Sequence, residues 1–145
     1  MSLYGTYDDA NIFAKILRGE APAVKVYEDD EALYFMDIFP QVRGHTLVIP
    51  KGVQARNFIE LPPERMGAYM QRVQKITRAV AEGLKPDGVR VMTFNGAASG
   101  QTIYHLHFHI YPIWQGAAER PHATGKQADV TELRALADQI AAAIR

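Results

Sequence analysis

Residues His105 to Tyr111 read HLHFHIY, with histidine and an apolar residue in strict alternation. A period of two marks an extended strand, because successive side chains of a strand point to opposite faces. The run therefore predicts a strand over Ile103–Tyr111, stopped by Pro112, with Leu106, Phe108 and Ile110 turned into a core. His105, His107 and His109 would form a row on the other face, with neighbouring Cα atoms about 6–7 Å apart at ~3.3 Å rise per residue. A chain holding this strand must build a sheet with one face apolar and the other suited to ionisable groups.

The remaining pattern supplies the partners of that strand. Asp9–Arg18 reads as a short helix with Ile12, Phe13, Ile16 and Leu17 on one side and Gly19 as a left-handed cap. AVKVYEDDEALYFMDI reads as a hairpin about the turn Glu28-Asp29-Asp30, and Gly44–Pro50 as a third, central strand. Pro62 and Pro63 open a helix that Gly83 closes, with Met66, Tyr69, Met70, Val73, Ile76, Val80 and Leu84 at helical spacing. A fourth strand follows over Val89–Asn95, then the small-residue loop NGAASGQ and the histidine strand. Residues 115–128 look irregular. A last helix starts at Asp129, with Glu132 completing a capping box and Leu133, Leu136, Ala137, Ile140 and Ile144 as its buried stripe. Strands and helices do not alternate, which predicts an α+β fold with a largely antiparallel sheet.

Length and charge narrow the function. A chain of 145 residues suits one domain, taken here as 1–145 with a core over 9–113 and a tail and helix over 114–145. Sixteen basic and sixteen acidic residues balance, so the basic stripe of a nucleic-acid-binding protein is not expected. The chain has no cysteine, which excludes thiol catalysis and disulfides. The N-terminal MSLYGTYDDANIF lacks the pattern of a signal peptide, and no apolar run is long enough for a membrane span. A cytoplasmic protein that does not bind membranes is expected.

Three imidazoles in a row invite chemistry. A neutral imidazole is a nucleophile, and a charged one binds phosphate or donates a proton. Neighbouring rings discourage one another from charging, so different protonation states can coexist. One ring can attack phosphorus while another supports the phosphate oxygens. A structural role and a zinc site are the rivals, although three same-face positions on one strand lie nearly in a line and suit tetrahedral coordination poorly. The loop Asn95–Thr102 adds amides, hydroxyls and glycines that let backbone N–H groups approach an anion.

HLHFHIY resembles the His-φ-His-φ-His-φ-φ signature of the histidine triad (HIT) family, φ being apolar. IFAKILRGEAPAVKVYEDD, YFMDIFPQVRGHTLVIPK and NGAASGQTIYHLHFHIYP resemble successive blocks of bacterial Hint-like members, together covering most of Asn11–Pro112. The resemblance implies an α+β HIT-like fold in two layers, a five-stranded antiparallel sheet with flanking helices. It also implies a homodimer with two nucleotide sites and no catalytic cofactor. Family members hydrolyse or transfer nucleoside monophosphate groups from phosphoramidates, acyl adenylates or dinucleoside polyphosphates, through a nucleotidyl-histidine intermediate.

By position, His107 would be the nucleophile and His105 and His109 its supports. Asp37 would bind the ribose hydroxyls of a purine nucleotide, and Ile12, Phe13, Ile16, Phe35 and Ile38 its base. Asn95, Gly100, Gln101 and Thr102 would contact the phosphate and leaving group. His45 matches a position that is usually structural, and His122 matches none. Many bacterial relatives hold zinc with a Cys-x-x-Cys in the first helix and a histidine after the Pro-Lys pair; Asn11, Ala14 and Val53 stand there, so that zinc is not expected. Ile113 stands where arginine is frequent, and Arg43 where proline is common. A nucleotide sensor with little catalysis, a metal-dependent hydrolase and a transferase remain as alternatives to a hydrolase.

Overall fold

The computed structural model describes residues 2–117 and 127–145. His122 and most of the expected irregular stretch 115–128 fall outside the described residues.

Local chemistry sets the boundaries. Helix α1 spans Ile12–Leu17, shorter than the expected Asp9–Arg18. The Asp8 carboxylate takes the N–H of Ala10 and forms a turn there, and Asn11 then caps the helix by accepting from Ala14 N at 2.9 Å. Gly19, at φ 77°, ends it. Strands β1 (Lys25–Glu28) and β2 (Ala32–Met36) form the expected hairpin. The Asp29 carboxylate closes its turn on the N–H groups of Glu31 and Ala32 at 2.8 and 3.0 Å. Strand β3 covers Thr46–Pro50.

Helix α2 runs from Pro63 to Leu84 with Pro62 as its cap. Gly83 does not close it. Lys85, in the left-handed region at φ 54°, does so, and Gly83 lies inside the last turn. The reason for glycine there is tertiary: a Cβ at Gly83 would stand 2.8 Å from the carbonyl oxygen of Gln139 in helix α3 (Val130–Ala142). Asp129 caps α3, accepting from Thr131 N at 2.8 Å.

Strands β4 (Gly88–Met92) and β5 (Phe108–Ile113) complete a five-stranded sheet of order β1-β2-β3-β5-β4, antiparallel throughout. The sequence placed β5 too early. Its ladder with β3 reaches back only to Phe108, which pairs with Val48; upstream the chain leaves the ladder, and Leu106 N donates to Ala55 O at 2.9 Å instead. Pro112 does not stop the strand. It pairs with Val89 on the edge strand β4, beyond Ile110 where the β3 ladder has ended, so it sits at the margin of the sheet, where proline is tolerated.

Alternation then sorts the faces. Tyr34, Met36, Val48, Leu106, Phe108 and Ile110 point into a core sealed by α2 and α3, among Tyr69, Ile76, Val80, Leu136 and Ile140. Each fully buried side chain of this size contributes about 1.5–3 kcal/mol. The other face carries a smaller cluster: Leu33, Phe35, Leu47 and Ile49 from the sheet, Phe13 and Ile16 from α1. Leu47 pairs with Phe35 on one side and His109 on the other, so this second cluster runs directly into the histidines. Among the described residues no helix is long and apolar enough to cross a membrane.

Candidate active site

On the α1 face lies an open cavity of about 260 Å³. Its apolar wall and floor include all five residues expected to hold a base: Ile12, Phe13, Ile16, Phe35 and Ile38. Pro22, Ala23, Met36, Phe39, Leu47 and Ile103 complete it. The polar side chains are Asp37, Thr102, His107 and His109. An apolar slot ending in a few convergent polar groups is the usual form of a small-molecule site.

His107 is held in one tautomer. Its Nδ1 lies 2.7 Å from the His105 carbonyl oxygen, which can only accept, so Nδ1 carries the proton and Nε2 keeps its lone pair. The Phe13 ring meets the His107 ring edge to face at 4.9 Å and packs in the same way on Phe35. Thr93 Oγ1 donates to the His107 carbonyl at 2.7 Å, anchoring the main chain ahead of β5.

His109 belongs to a second chain of hydrogen bonds. Gln41 N donates to His45 Nδ1 at 3.1 Å, so a neutral His45 bears its proton on Nε2. That nitrogen is 3.0 Å from His109 Nδ1 and 3.5 Å from Asp37 Oδ2. His109 Nδ1 is therefore the acceptor, and a neutral His109 carries its proton on Nε2. Asp37 Oδ1 in turn accepts from Phe39 N at 2.8 Å. His45 is fully buried and is a supporting residue of the site that its sequence position did not disclose.

His105 is placed differently from its two neighbours. It is outside the cavity wall and 1% exposed, with Nε2 3.2 Å from the Pro50 carbonyl and Nδ1 2.6 Å from the Tyr7 hydroxyl. Burial pulls its pKa down to about 4, against a weaker upward pull from the Pro50 carbonyl. The ring is neutral at physiological pH, and its contribution to the site is its own carbonyl. Of the expected row of three imidazoles, two line the cavity, His107 and His109, with ring centroids 4.8 Å apart.

The loop is also used differently. Gln101 Oε1 accepts from Gly96 N at 2.9 Å, and its Nε2 donates to Arg56 O and Ile103 O at 2.7 and 3.0 Å. Asn95 Oδ1 accepts from Phe58 N at 2.9 Å. Gly100, at φ 113°, gives its N–H to Ala97, and Gln101 gives its own to Gly96. Asn95, Gly100 and Gln101 shape the loop rather than line the cavity, and Thr102 alone of the four reaches it.

Two metal arrangements can be weighed. Asn11 spends its Oδ1 on the helix cap, and Ala14 and Val53 carry no ligand atom, so this donor set does not fit the family's structural zinc. Asp37, His45 and His109 bring one ligand atom each within 4.8 Å of one another. A metal there would need His45 to give up its Nε2 proton while its Nδ1 still accepts from Gln41, which describes an imidazolate. The trio suits a proton chain better than a cation.

A model of the HIT domain matches residues 18–116. The chain belongs to the HIT family. The family's fold is present over nearly the whole chain: a HIT-like protein of Bartonella henselae, involved in cell-cycle regulation, is 46% identical, with a TM-score of 0.89 over 97% of this chain and 100% of its own. Protein hit of Bacillus subtilis is 40% identical over 77% of this chain and 80% of its own length. The adenylylsulfatase HINT3 of Arabidopsis thaliana is 35% identical over 84% of this chain and 64% of its own. Arg43, one of the departures from the HIT pattern, has a local role: its guanidinium lies 5.6 Å from the Trp114 ring centroid.

Proposed function

We propose that this HIT protein is a hydrolase or transferase acting at the α-phosphorus of purine nucleotide conjugates: phosphoramidates, acyl adenylates or dinucleoside polyphosphates. The observation that carries the reading is His107, whose Nδ1 is fixed on the His105 carbonyl at 2.7 Å at the polar end of an apolar cavity. The base occupies the slot between α1 and the sheet, and the ribose hydroxyls donate to Asp37. His107 Nε2 attacks phosphorus. A P–N bond forms as the bond to the leaving group breaks, and the bonding pair departs with that group, which takes a proton from solvent. Thr102 and the His109 Nε2–H donate to the phosphate oxygens as charge builds there. Water then attacks the nucleotidyl-histidine, the P–N bond breaks, and its electron pair returns to His107.

The similarity to an adenylylsulfatase supports an adenylyl group among the substrates. The protein acts as a homodimer, each copy with its own site. β4, an edge of the sheet with Val91 exposed, supports pairing with a second copy.

The test is His107→Ala. With adenosine 5′-phosphoramidate labelled at phosphorus, the wild-type protein should acquire label on quenching and the variant none, with turnover lost by at least about 10³-fold. Normal turnover by the variant would remove His107 from the chemistry. Mass measurement of the native protein in solution reads the dimer.

A further inference from the structure

The N-terminal segment comes close to the site without lining it. Ser2 Oγ accepts from Ala97 N at 2.9 Å, inside the Asn95–Gln101 loop. Leu3 O accepts from Asn57 Nδ2 at 2.9 Å. Gly5 packs on the Arg56 guanidinium, where an added Cβ would stand 3.2 Å from Cζ. The segment then delivers the Tyr7 hydroxyl to His105 Nδ1 at 2.6 Å, 98 residues away in sequence.

The direction of that bond follows from the partner on the other side of the ring. The Pro50 carbonyl can only accept, so His105 Nε2 carries the proton and Nδ1 the lone pair. Tyr7 is therefore the donor, and it is what makes this tautomer of a buried imidazole complete. The Tyr7 ring also meets His105 edge on at 5.8 Å, and Phe13 packs against both His105 and His107. The fixed His105 residue presents its carbonyl to His107 Nδ1.

We propose that Tyr7 is a positioning residue for the reaction: its hydroxyl fixes the His105 ring, and the His105 main chain so held sets the tautomer of His107. The proposal rests on His107 being the nucleophile. Tyr7 touches neither substrate nor the reacting atoms, and its effect is carried by how often Nε2 of His107 is the unprotonated nitrogen. Removal of the hydroxyl leaves His105 Nδ1 buried without its donor, so the ring and the carbonyl behind it lose their single arrangement.

The experiment compares the full-length wild type with Tyr7→Phe, and with Tyr4→Phe as a control in the same segment, Tyr4 being 65% exposed. Steady-state rates with adenosine 5′-phosphoramidate are read beside the imidazole ¹⁵N shifts of His105 and His107 at pH 7, well below the unfolding temperature. Tyr7→Phe should lower kcat about tenfold with KM changed less than about twofold, as expected for an orienting hydrogen bond lost from a preorganised site. His107 Nδ1, a protonated nitrogen in the wild type, should move toward a mixture of tautomers. Tyr4→Phe should change neither. If Tyr7→Phe alters only the unfolding temperature, leaving kcat and the His107 nitrogens as in the wild type, the proposal is overturned. A shared loss in Tyr4→Phe would overturn it too. Failure of the reading beneath it looks different: His107→Ala would keep its turnover, whatever Tyr7→Phe does to the ring nitrogens.

Discussion

Gln101→Leu separates a loop-holding glutamine from a substrate-binding one. Gln101 is 4% exposed, and both polar atoms of its amide are committed within the protein. Leucine keeps the approximate volume and removes three hydrogen bonds at once: from Gly96 N, to Arg56 O and to Ile103 O. A buried backbone group stripped of its partner costs about 1–3 kcal/mol. Taking the low end for each, the substitution should destabilise by about 3 kcal/mol. For a chain of this length 1 kcal/mol moves the unfolding temperature by about 2–4 °C, so a fall near 10 °C is expected. Thermal unfolding followed by circular dichroism and by calorimetry measures it, alongside kcat and KM at 20 °C. An unfolding temperature within about 2 °C of wild type, together with a tenfold rise in KM, would refute the reasoning, since the amide would then be serving the ligand.

Two further outcomes follow from groups already placed. His105, neutral in the fold with a pKa of about 4, gains a proton on unfolding below its ordinary value near 6.5. The unfolded chain thus binds more protons between these pH values, and stability present in full above pH ~6.5 is lost as pH falls toward ~4, by about 3 kcal/mol from this group. Urea unfolding across that range should show the loss, and His105→Gln should flatten the acid limb relative to wild type. Gly83→Ala should destabilise by about 1–3 kcal/mol even though alanine is the better helix former by about 1 kcal/mol, because its Cβ meets the α3 backbone. An increase in stability on chemical denaturation would mean that α3 can give way.

What could be read in advance, and what could not, divides along a physical line. The alternation at His105–Ile110 was legible because side-chain direction in an extended chain is a local property, and the apolar set does enter the core. The stripes of α2 and α3 were legible for the same reason, in the helical period. Strand ends were not. Whether Phe108 or Ile103 opens β5 depends on a partner distant in sequence, since Leu106 N is given to Ala55 O rather than to β3. Gly83 carries the same letter whether it caps a helix or admits a neighbour, and only the position of Gln139 distinguishes the two.

The site follows the same division. Ile12, Phe13, Ile16, Phe35, Ile38, Asp37, Thr102, His107 and His109 meet at one cavity, as the matched blocks implied. Asn95 and Gln101 have side chains equally able to bind a ligand or a loop, and the loop has both. His45 and Tyr7 could not be found by spacing, since each contacts a triad histidine across at least 64 residues of chain. Their only local signal is residue type: an imidazole just ahead of the buried strand β3 and a tyrosine just ahead of α1.

The continuity of the smaller apolar cluster with the cavity restricts how this protein could acquire a new substrate preference. Phe13, Phe35 and Leu47 are floor and core together, all 5% exposed or less. A substitution to a smaller residue there reshapes the cavity and also opens a void beneath the sheet, so altered ligand preference and lowered stability would arrive in the same variant. Ile12 and Phe39 are 44% and 45% exposed and touch the same slot from outside. On the proposed reading of this cavity as a base site, such exposed rim positions can change without opening the core, and a laboratory selection for a different nucleotide should collect its first tolerated changes there.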